Sequence, residues 1–562
     1  MTVNGTGPWN PQNDTPSNPF TDSNGQFYYQ DSGSSYAATD PREWMFYTGS
    51  NFDTATPDST LDNAVNPANS RDSNADTTWR CNNSPTGLES TYAPAGSYYA
   101  ERNYCDLNGV WVDPDTGDWY GLVHNEFTPQ PFADHLHYDA IDFAVSTDKG
   151  KTWTIKGHII TSPYPTVRGD TAAFPQQTYY YGDGDPRLYV DAASGYFYVF
   201  YGSRIVDKGG SWKAFYGHVA RAPIAGKMAT GTWRKWYAGT WSQPGVGGKE
   251  SNMVPVTAAN PTGYTDPAKE YNPDTPGTTS QQVAAGKTPP TSPLFVMDIT
   301  YDAYLGEYIG EPQGVDQSGN APQQYYATDN LATQQWHLIG DTGSYHTASW
   351  YRWFLDPANK TSTAIVGKAF RAYCTYGCSS SSWYGEYANV AIDTSAPSAP
   401  VRSGGTYQIR SGNGLLLAQV PGSTRTTATA SRQGLTGWTF TADGDGSYTV
   451  ANAATGQVLG VDSTSDSGRA WGAQPSLASL GGASPAVGQE WFVIPGTSAA
   501  NGSRDGTFRL VNRYSGLVLG LPANPLGQVQ TTPVRSWNSA GPSGADTLRT
   551  VAEQRLTLTP AS

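Results

Sequence analysis

The chain has 562 residues, a net charge of −14 and only 15% charged side chains. It is long enough for two or three domains, and its acidity disfavours a nucleic-acid partner. No run of about 18 apolar residues occurs, so no transmembrane helix is predicted. The 13% aromatic content and 62 glycines are typical of an all-β protein. A neutral polysaccharide is the favoured partner, because aromatic rings stack on sugars without any charge, and a monomer is expected.

A hairpin unit recurs along the first two-thirds of the chain. It consists of a short apolar strand, a turn containing Asp and Gly, and an aromatic strand. Copies lie at residues 110–123, 188–201 and 299–309, and a degenerate copy begins at Trp353. Repeated hairpins of this kind predict a radial arrangement of β-sheets.

The hairpins extend into five predicted sheets with about four strands in 45–55 residues each, which is the size of a propeller blade. A five-bladed β-propeller is therefore predicted over residues 1–394. The stretch of about 243–294 is rich in Gly, Pro and Thr and has no periodicity, so a lid or a disordered loop is expected there. The first sheet falls before residue 100, and the others fall at 108–160, 185–241, 295–340 and 349–393.

A turn motif supports this architecture. Residues 146–153, Ser-Thr-Asp-Lys-Gly-Lys-Thr-Trp, resemble the Asp-box of sialidases and related propellers. In such a turn Asp148 accepts backbone N–H bonds, Gly150 supplies a positive φ and Trp153 packs between sheets. The motif is therefore predicted to be structural.

Four cysteines form two pairs that are close in sequence, Cys81 with Cys105 and Cys374 with Cys378. An even number in such a chain favours disulfides and a secreted protein, and the alternative is four buried thiols. No CxxC motif or His/Cys cluster indicates zinc. No metal site and no required cofactor are predicted. The segment that begins at Met1 has no apolar signal region, so a secreted chain whose signal has been removed is expected.

The composition changes after a Pro/Ser/Ala run, which predicts a linker over residues 395–404. Three short repeats follow, beginning at Tyr407, Tyr448 and Phe508. Their ends, Gly-Trp438 and Gln-Glu-Trp491, resemble the Gln-x-Trp signature of ricin-type β-trefoils, as in family 13 carbohydrate-binding modules. The resemblance implies a β-trefoil over residues 405–562.

The trefoil repeats depart from that signature. Thr436 replaces the usual Gln in the first repeat, and the third repeat lacks the Trp. The Asp that commonly follows the strand occurs only as Asp462. At most one sugar site is therefore expected, with Asp462 and Trp491 as its candidates. The alternative is a degenerate trefoil that only supports the first domain.

In each hairpin the start of the inner strand and the end of its neighbour lie at the same end of the ring. The polar residues at these positions should therefore surround one depression. The turn residues Asp113, Asp191 and Asp302 fall at the opposite end and are discounted. The candidates are, in chain order, Asp14, Asp106, His124, Glu126, Asp183, Asp185, Arg204, Asp298, Glu311, His346 and Arg371.

A ring of carboxylates suits glycoside hydrolysis, which needs a protonated acid and an ionised carboxylate. Glu126 is the strongest candidate, since it follows an apolar strand and has no role in a turn. Asp185 comes next, because a following proline fixes an extended approach. Asp14 and Glu311 complete the predicted catalytic set, and the other candidates are predicted to bind substrate. The alternative is that these acids cap turns.

This arrangement resembles the five-bladed propeller hydrolases of glycoside hydrolase families 43, 32 and 62. There, a blade-one Asp is the base or nucleophile, a blade-three Asp tunes pKa values or holds hydroxyls, and a later Glu is the acid. Asp14 and Asp185 match the first two positions loosely, and nothing matches the acid. The sialidase Arg triad is not assignable. The resemblance also implies a structural calcium ion on the axis near His346.

The sequence therefore predicts a secreted glycoside hydrolase that acts on a plant or microbial polysaccharide. Arabinan is the first expectation, followed by fructan or galactan. One alternative is a polysaccharide lyase, although an acidic site with few Lys and Arg disfavours an anionic substrate. The other alternative is a glycan-binding protein without catalysis.

Overall fold

The structure is a computed structural model, and it is dominated by β-strands. Its helices are short: α1 (Ser59–Asp62), α2 (Thr78–Asn82), α3 (Pro85–Glu89) and α4 (Thr279–Ala284). In the described part of the chain, no helix has the length and apolar character needed to span a membrane. The described residues are 1–9, 13–33, 42–90, 92, 101–127, 137–165, 171–210, 212–314, 321–348, 350–376, 378–379, 384–480, 482–535, 537–538 and 550–561.

In the described part of the first 391 residues, five groups of antiparallel strands follow one another, and we call each group a sheet. The second and third are joined into one nine-stranded sheet by a parallel pairing of β10 with β8 at Gly182 and Asp139. The N-terminal strand is β1 (Thr2–Trp9), and the first sheet contains β2 (Asn18–Thr21), β3 (Phe27–Ser32), β4 (Trp44–Gly49) and β5 (Thr56–Pro57). The second contains β6 (Asn103–Val112), β7 (Trp119–Phe127), β8 (Tyr138–Ser146) and β9 (Thr154–Ile160). The third contains β10 (Thr178–Asp191), β11 (Tyr196–Asp207), β12 (Trp212–Pro223), β13 (Arg234–Tyr237) and β14 (Thr240–Pro244).

The last two sheets complete the series. The fourth contains β15 (Asp298–Asp302), β16 (Glu307–Glu311), β17 (Ala321–Thr328) and β18 (His337–Thr347), and the fifth contains β19 (Trp350–Leu355), β21 (Ala369–Tyr376) and β22 (Gly385–Ala391). The short strand β20 (Ile365–Val366) lies beside β15. We call these five sheets the ring.

The ring closes on itself. Each sheet contacts the next through its inner strand: β6 meets β2 and β3, β10 meets β6 and β15, and β15 meets β19. The fifth sheet meets the first through a buried aromatic cluster that includes Trp9, Phe27, Trp353 and Tyr373. Strand β1 completes the fifth sheet by pairing with β22, so that the two ends of the ring segment share one sheet. The hairpin pattern did not predict that β1 pairs with β22.

The discounted turn aspartates cap their own turns. Asp113 accepts the N–H of Asp115 at 2.9 Å, and Asp302 accepts the N–H of Tyr304 at 2.8 Å. Asp191 accepts the N–H of Ala193 at 3.1 Å. These contacts satisfy turn amides, which is the usual reason for Asp at such positions.

The Asp-box is structural, as predicted. Asp148 accepts the N–H of Thr152 at 2.8 Å, and Gly150 has a φ of 85°. Trp153 is buried and donates its indole N–H to the carbonyl of Gly150 at 3.0 Å. The expected lid or disordered loop at 243–294 is instead packed along β12, where Met253 donates to the carbonyl of Gly217 at 2.8 Å.

A histidine ties helix α3 to the second sheet. The Nδ1 atom of His158 lies 2.5 Å from Asp142, and its Nε2 atom lies 3.2 Å from Glu89. Burial lowers the pKa of His158, but the hydrogen bond and charge of Asp142, together with Glu89, raise it to about 9. The folded protein therefore binds the imidazole proton more tightly than the unfolded chain does.

This pair predicts a pH dependence of stability. A raised folded-state pKa stabilises the protein fully below the ordinary value of 6.5, and the contribution is lost as pH rises through about 9. We expect the free energy of unfolding, measured in urea from pH 6 to 10, to fall over that window. The fall should be smaller in His158→Gln, and an identical pH profile in the two proteins would contradict the prediction.

Residues 405–560 form a separate group of twelve strands, which we call the C-terminal unit. The core of this unit contains Trp438 and Trp491, which are fully buried and donate to the carbonyls of Leu417 and Leu459. The strands are β23 (Gly405–Ser411), β24 (Leu416–Gln419), β25 (Thr426–Thr429), β26 (Gly437–Ala442), β27 (Ser447–Asn452), β28 (Val458–Gly460), β29 (Ser476–Ala478), β30 (Glu490–Thr497), β31 (Arg504–Asn512), β32 (Val518–Gly520), β33 (Gln530–Thr532) and β34 (Leu556–Pro560).

The C-terminal unit sits on the turn end of the ring. Arg513 reaches Asp356 of the degenerate hairpin with two hydrogen bonds of 2.8 and 3.0 Å. Arg535 binds Asp115, in the turn of another hairpin, at 3.0 Å. Apolar residues of both units share one buried cluster, in which Val511 and others pack with the inner strands of the ring. The turns that the sequence analysis discounted are therefore where the two units meet.

Both predicted disulfides are present. Cys81 is bonded to Cys105, next to helix α2, and Cys374 of β21 is bonded to Cys378. There is no free cysteine among the residues that the structure describes.

Candidate active site

Glu126 ends strand β7 at the end of the ring opposite to the turns, and two histidines hold its carboxylate. The Nε2 atom of His124 lies 3.2 Å from Oε1, and the Nδ1 atom of His137 lies 3.4 Å from Oε2. Residues 124 and 126 point the same way because side chains alternate along a strand. His137 immediately precedes the neighbouring strand, β8.

Asp185 lies beside this group with an unusual backbone. Its φ is 54°, in the left-handed region, and it lies inside β10 at a register shift between Gly184 and Arg187. The extended approach that the following proline predicted is therefore wrong. The backbone N–H of Asp185 donates to the Nδ1 atom of His124 at 3.1 Å. The carboxylate of Asp185 accepts from Arg204 at 2.5 Å, and Arg204 also reaches Asp139 at 3.3 Å.

His124 is the link between Asp185 and Glu126. Burial lowers the pKa of His124, whereas the bond to Glu126 and the charges of Asp139 and Asp185 raise it, to about 10. The Asp185 amide nevertheless donates to Nδ1, and a proton on that nitrogen would point at the amide hydrogen. We therefore assign a neutral ring whose Nε2–H donates to Glu126.

Tyr351 joins Asp185 to Asp14. Its hydroxyl lies 2.9 Å from Asp14 Oδ1 and 3.2 Å from Asp185 Oδ1. The guanidinium of Arg187 lies over the tyrosine ring at 5.2 Å. Carboxylates from three separate segments of the ring, the bend before β2, strand β7 and strand β10, are thus connected in one group. The acid cluster, as we call it, consists of Asp14, His124, Glu126, His137, Asp139, Asp185, Arg204 and Tyr351.

The carboxylates of the acid cluster differ in proton affinity. Burial opposes ionisation of Glu126, but His137, the hydrogen bond of His124 and Arg42 hold its pKa below the usual range. The charges of Arg204 and Arg187 likewise overcome burial and lower the pKa of Asp185. For Asp139, burial dominates and raises the pKa well above its usual value. Protonated and ionised carboxyl groups therefore occur side by side, as acid–base catalysis requires.

Strained backbone occurs at the acid cluster and next to it. Besides Asp185, Tyr351 has a φ of 45° and Val296 has a φ of 42°. For a β-branched residue such as valine this conformation is an outlier. Val296 and Tyr351 belong to one small buried cluster. Strained residues of this kind persist at functional sites, where the surrounding packing holds them.

An aromatic rim borders the acid cluster. The guanidinium of Arg204 lies 4.9 Å from the ring of Trp212, 5.4 Å from that of Tyr181 and 5.6 Å from that of Phe295. Trp212 is 38% exposed, which is unusual for an indole in this protein. It offers an open aromatic surface next to the carboxylates.

Two predicted substrate-binding acids are fully committed to buried ion pairs. Asp106 is 1% exposed and pairs with Arg42 at 2.5 Å, and burial raises its pKa to about 7. Asp183 is fully buried and accepts from Lys235 at 2.9 Å, and Lys235 also binds Glu250 at 2.6 Å. Asp183 therefore anchors the chain beneath the site and does not face a substrate.

The predicted acids of the fourth sheet adjoin the acid cluster through Arg187, whose charge interacts with both Asp298 and Asp185. Asp298 and Glu311 are opposite each other in the β15–β16 hairpin. Glu311 is fully buried near Arg352, and burial raises its pKa well above the usual value. Asp298 accepts the N–H of Phe354 at 3.1 Å. A catalytic role for Glu311 is not favoured, because its carboxylate has no access to a substrate.

Arg371 and His346 are also outside the acid cluster. Arg371 pairs with Asp53 at 2.5 Å, and its guanidinium covers the ring of Tyr387. His346 is exposed on β18, the outermost strand of its sheet, and not on the axis of the ring. The described residues contain no group of three His, Cys, Asp or Glu side chains placed to hold a metal. His346 thus lies away from the axis on which the resemblance implied a calcium ion, and the calcium site itself stays a prediction.

The two candidates in the C-terminal unit have structural positions. Asp462 accepts from Thr464 N at 2.9 Å and from the Ser465 hydroxyl at 2.7 Å, so that it closes its own turn. Trp491 lies in the core with its indole N–H bonded to Leu459. Trp491 is therefore a core residue, and the prediction that it contacts sugar is wrong for this physical reason.

Sequence reasoning missed four residues of the site: His137, Asp139, Trp212 and Tyr351. A usable signal existed for the first two, because they flank the start of the strand that pairs with residues 124–126. Tyr351 stands in an aromatic strand where nothing distinguishes it from core residues. Trp212 follows a Gly-Gly pair, and no pattern in the sequence marks it as a site residue.

Comparison with known proteins identifies the C-terminal unit. A family model described as a ricin-type beta-trefoil lectin domain-like family matches residues 437–537. The chain therefore carries a ricin-type β-trefoil lectin domain at its C-terminal end. No curated protein matches the chain.

Solved structures similar to the chain include two glycoside hydrolases and a lectin. A family 43 β-1,3-galactosidase is 9% identical, with 99% of this chain and 93% of that chain covered and a TM-score of 0.32. A family 117 enzyme from the marine bacterium Zobellia galactanivorans is 11% identical, with coverages of 70% and 91% and a TM-score of 0.33. A ricin B-like lectin from Macrolepiota procera, in complex with lactose, is 19% identical, with coverages of 29% and 100% and a TM-score of 0.22.

Proposed function

We propose that the chain is a secreted glycoside hydrolase that cleaves a neutral polysaccharide. The observation that carries the proposal is the acid cluster, in which Asp14, Asp185 and Glu126 come from separate segments of the ring and are joined through Tyr351 and His124. In this proposal the ring is a five-bladed propeller over residues 1–394, followed by a linker at 395–404 and a lectin domain at 405–562.

The chemistry needs two carboxyl groups in different protonation states. Glu126 is held ionised by its histidines and suits the role of base or nucleophile. Asp185 is also ionised and orients Arg204, a donor for sugar hydroxyls. Asp14 is the most exposed carboxylate of the acid cluster and can therefore reach a substrate.

The rim indicates an uncharged sugar. Arg204 is already paired with the carboxylates of Asp139 and Asp185, so its charge is largely neutralised and does not favour a uronate. Trp212 presents an aromatic face on which a sugar ring can stack. Arabinan is our first choice of substrate, with fructan and galactan next.

Trp212 gives a prediction about binding. In Trp212→Ala we expect KM for the substrate to rise about tenfold, since an aromatic contact of this kind contributes about 1.4 kcal/mol. The turnover number should change less, because the indole is at the rim. Trp212→Phe keeps an aromatic face and should recover most of the affinity. Equal KM values in the wild type and Trp212→Ala would remove Trp212 from the site.

The function is tested by incubating the full chain with arabinan, fructan and galactan and measuring reducing-sugar release. Hydrolysis that is absent in Asp185→Asn supports the proposal. Unsaturated products would instead identify a lyase. Binding to these polysaccharides without any release of sugar would favour a glycan-binding protein.

A further inference from the structure

A groove with a volume of about 380 Å³ opens beside the end of strand β16, at the same end of the ring as the acid cluster. We call it the amide groove. The residues of its lining that carry the argument are Thr291, Pro312, Gln313, Gln323, Gln324 and Thr347. Side-chain amides and hydroxyls, which are polar but uncharged, are prominent in this set. The volume lies within the range of small-ligand sites.

Gln313 supplies a buried hydrogen-bond donor to the amide groove. Its side chain is only 3% exposed, and its Oε1 atom accepts from Arg187 at 2.8 Å. An arginine can only donate, so the amide oxygen must face Arg187 and the amide nitrogen must point away from it. This nitrogen, Nε2, has no hydrogen-bond partner among the described residues. A buried donor left unsatisfied is costly, so its presence in a groove indicates a ligand that accepts a hydrogen bond.

Arg187 connects the amide groove to the acid cluster. Its Nη1 atom donates to the backbone carbonyl of Asp185 at 3.2 Å, and its guanidinium lies 5.2 Å from the ring of Tyr351. The backbone N–H of Gln313 donates to the carbonyl of Phe295 at 3.0 Å. The ring of Phe295 in turn lies 5.6 Å from the guanidinium of Arg204. Gln313 is therefore held by two residues that also contact the acid cluster.

A second arginine fixes the other side of the amide groove. Arg352 is only 1% exposed, and it donates to Gln323 Oε1 and to the Thr347 hydroxyl, both at 3.1 Å. It thus orients uncharged groups without presenting its own charge to solvent. Asp341 also lines the groove, but its carboxylate accepts the N–H of Gly343 at 2.8 Å and closes its own turn. The groups that remain for a ligand suit the hydroxyls of a neutral sugar.

We infer that the amide groove binds a sugar unit next to the one that is cleaved, and that Gln313 Nε2 donates to a hydroxyl oxygen of that unit. The position relative to the cleaved unit rests on the proposed function. Gln313 is then a specificity-determining residue, because a site built to bind a hydroxyl disfavours a sugar that lacks it. The groove favours oligosaccharides over single sugars.

A kinetic test compares a long substrate with a short one. Gln313→Met keeps the length of the side chain but removes the donor. We expect its KM for the polysaccharide cleaved by the wild type to rise about tenfold, which is the effect of about one lost hydrogen bond. KM for a nitrophenyl glycoside of the same single sugar should stay within about twofold, because this substrate has no second sugar unit. An unchanged KM for the polysaccharide, or an equal rise for both substrates, overturns the inference.

Gln334→Met is the matched control for loss of a buried amide. The amide of Gln334 is bonded on both sides, to the carbonyl of Leu331 at 2.6 Å and to the indole N–H of Trp336 at 3.0 Å. Its removal should lower the thermal stability of the protein and leave both KM values within about twofold. A tenfold rise in KM for the polysaccharide in this control would show that instability alone raises KM, and would overturn the inference.

A binding test does not need hydrolysis. Calorimetry measures the affinity of the full chain for neutral oligosaccharides of arabinan, fructan and galactan and for oligogalacturonides. The wild type should bind one of the neutral ligands about tenfold more tightly than Gln313→Met does, and the C-terminal unit contributes equally in both proteins. Equal affinities, or a preference for oligogalacturonides, overturn the inference. A tenfold difference without any hydrolysis would reject the proposed function but support the sugar site.

Discussion

Glu126→Gln is expected to reduce kcat/KM for polysaccharide hydrolysis by about 10²–10⁴-fold, which is the range for a lost acid–base group. The amide is the same size as the carboxylate but has no negative charge to accept a proton or to stabilise a cationic transition state. His124 and His137 would still contact the side chain at position 126, but an amide would replace the carboxylate as their partner. Initial rates on the polysaccharide identified by the screen, at several substrate concentrations, give the measurement.

Glu307→Gln is the matched control for this change. Glu307 is the first residue of strand β16 and lies at the turn end of the ring, whereas the acid cluster lies at the opposite end. Its substitution should leave kcat/KM within about twofold, since surface changes of this size are energetically small. Thermal unfolding should be similar in both variants. Wild-type activity in Glu126→Gln would exclude Glu126 from the chemistry.

Arg513→Met is expected to destabilise the protein by about 3–5 kcal/mol, which is the usual effect of removing one partner of a buried ion pair. Arg513 is only 5% exposed, and Asp356 is not exposed at all. Without the guanidinium, the carboxylate of Asp356 keeps its burial but loses two hydrogen bonds. The contacts of Arg513 with Asp445 and Glu490 are lost as well. Urea denaturation at pH 7 measures the difference in the free energy of unfolding.

The double variant Asp356→Asn with Arg513→Met separates a buried charge from lost packing. Removing both charges should recover part of the stability, because no uncompensated carboxylate then remains at position 356. A double variant that is less stable than Arg513→Met would contradict this account.

We also expect the wild type to unfold in a single transition when the tryptophan fluorescence of the ring and that of the C-terminal unit are followed, because one apolar cluster contains residues of both units.

Part of the site could be predicted because hairpin direction fixes which residues meet. The starts and ends of the strands place Asp14, Glu126 and Asp185 at one end of the ring, where the structure brings them together. The sequence could not show that Asp183 points away from Asp185. That depends on two register shifts in β10, one before Asp183 and one after Gly184, which change the alternation of side chains.

Other features have no local signature in the sequence. A positive φ at Tyr351 is a property of its packing, since non-glycine residues give no warning of it. Glu250 comes from a stretch without periodicity and meets Lys235 only in the fold. Trp491 belongs to the Gln-x-Trp signature that suggested sugar binding. Burial of its large apolar side chain in the core of the C-terminal unit instead stabilises the fold. Such outcomes depend on tertiary contacts and not on spacing.

The pairing of β1 with β22 has a consequence for how the protein is made. Thr2 is opposite Ala391 and Trp9 is opposite Gly385, so β1 can pair only after β22, the last strand of the ring, has been synthesised. Until translation passes residue 391, both partners expose unsatisfied backbone edges, which are templates for intermolecular pairing. Closure of the ring is thus a late, long-range event. A nascent chain that stalls before this point is the species at greatest risk of aggregation.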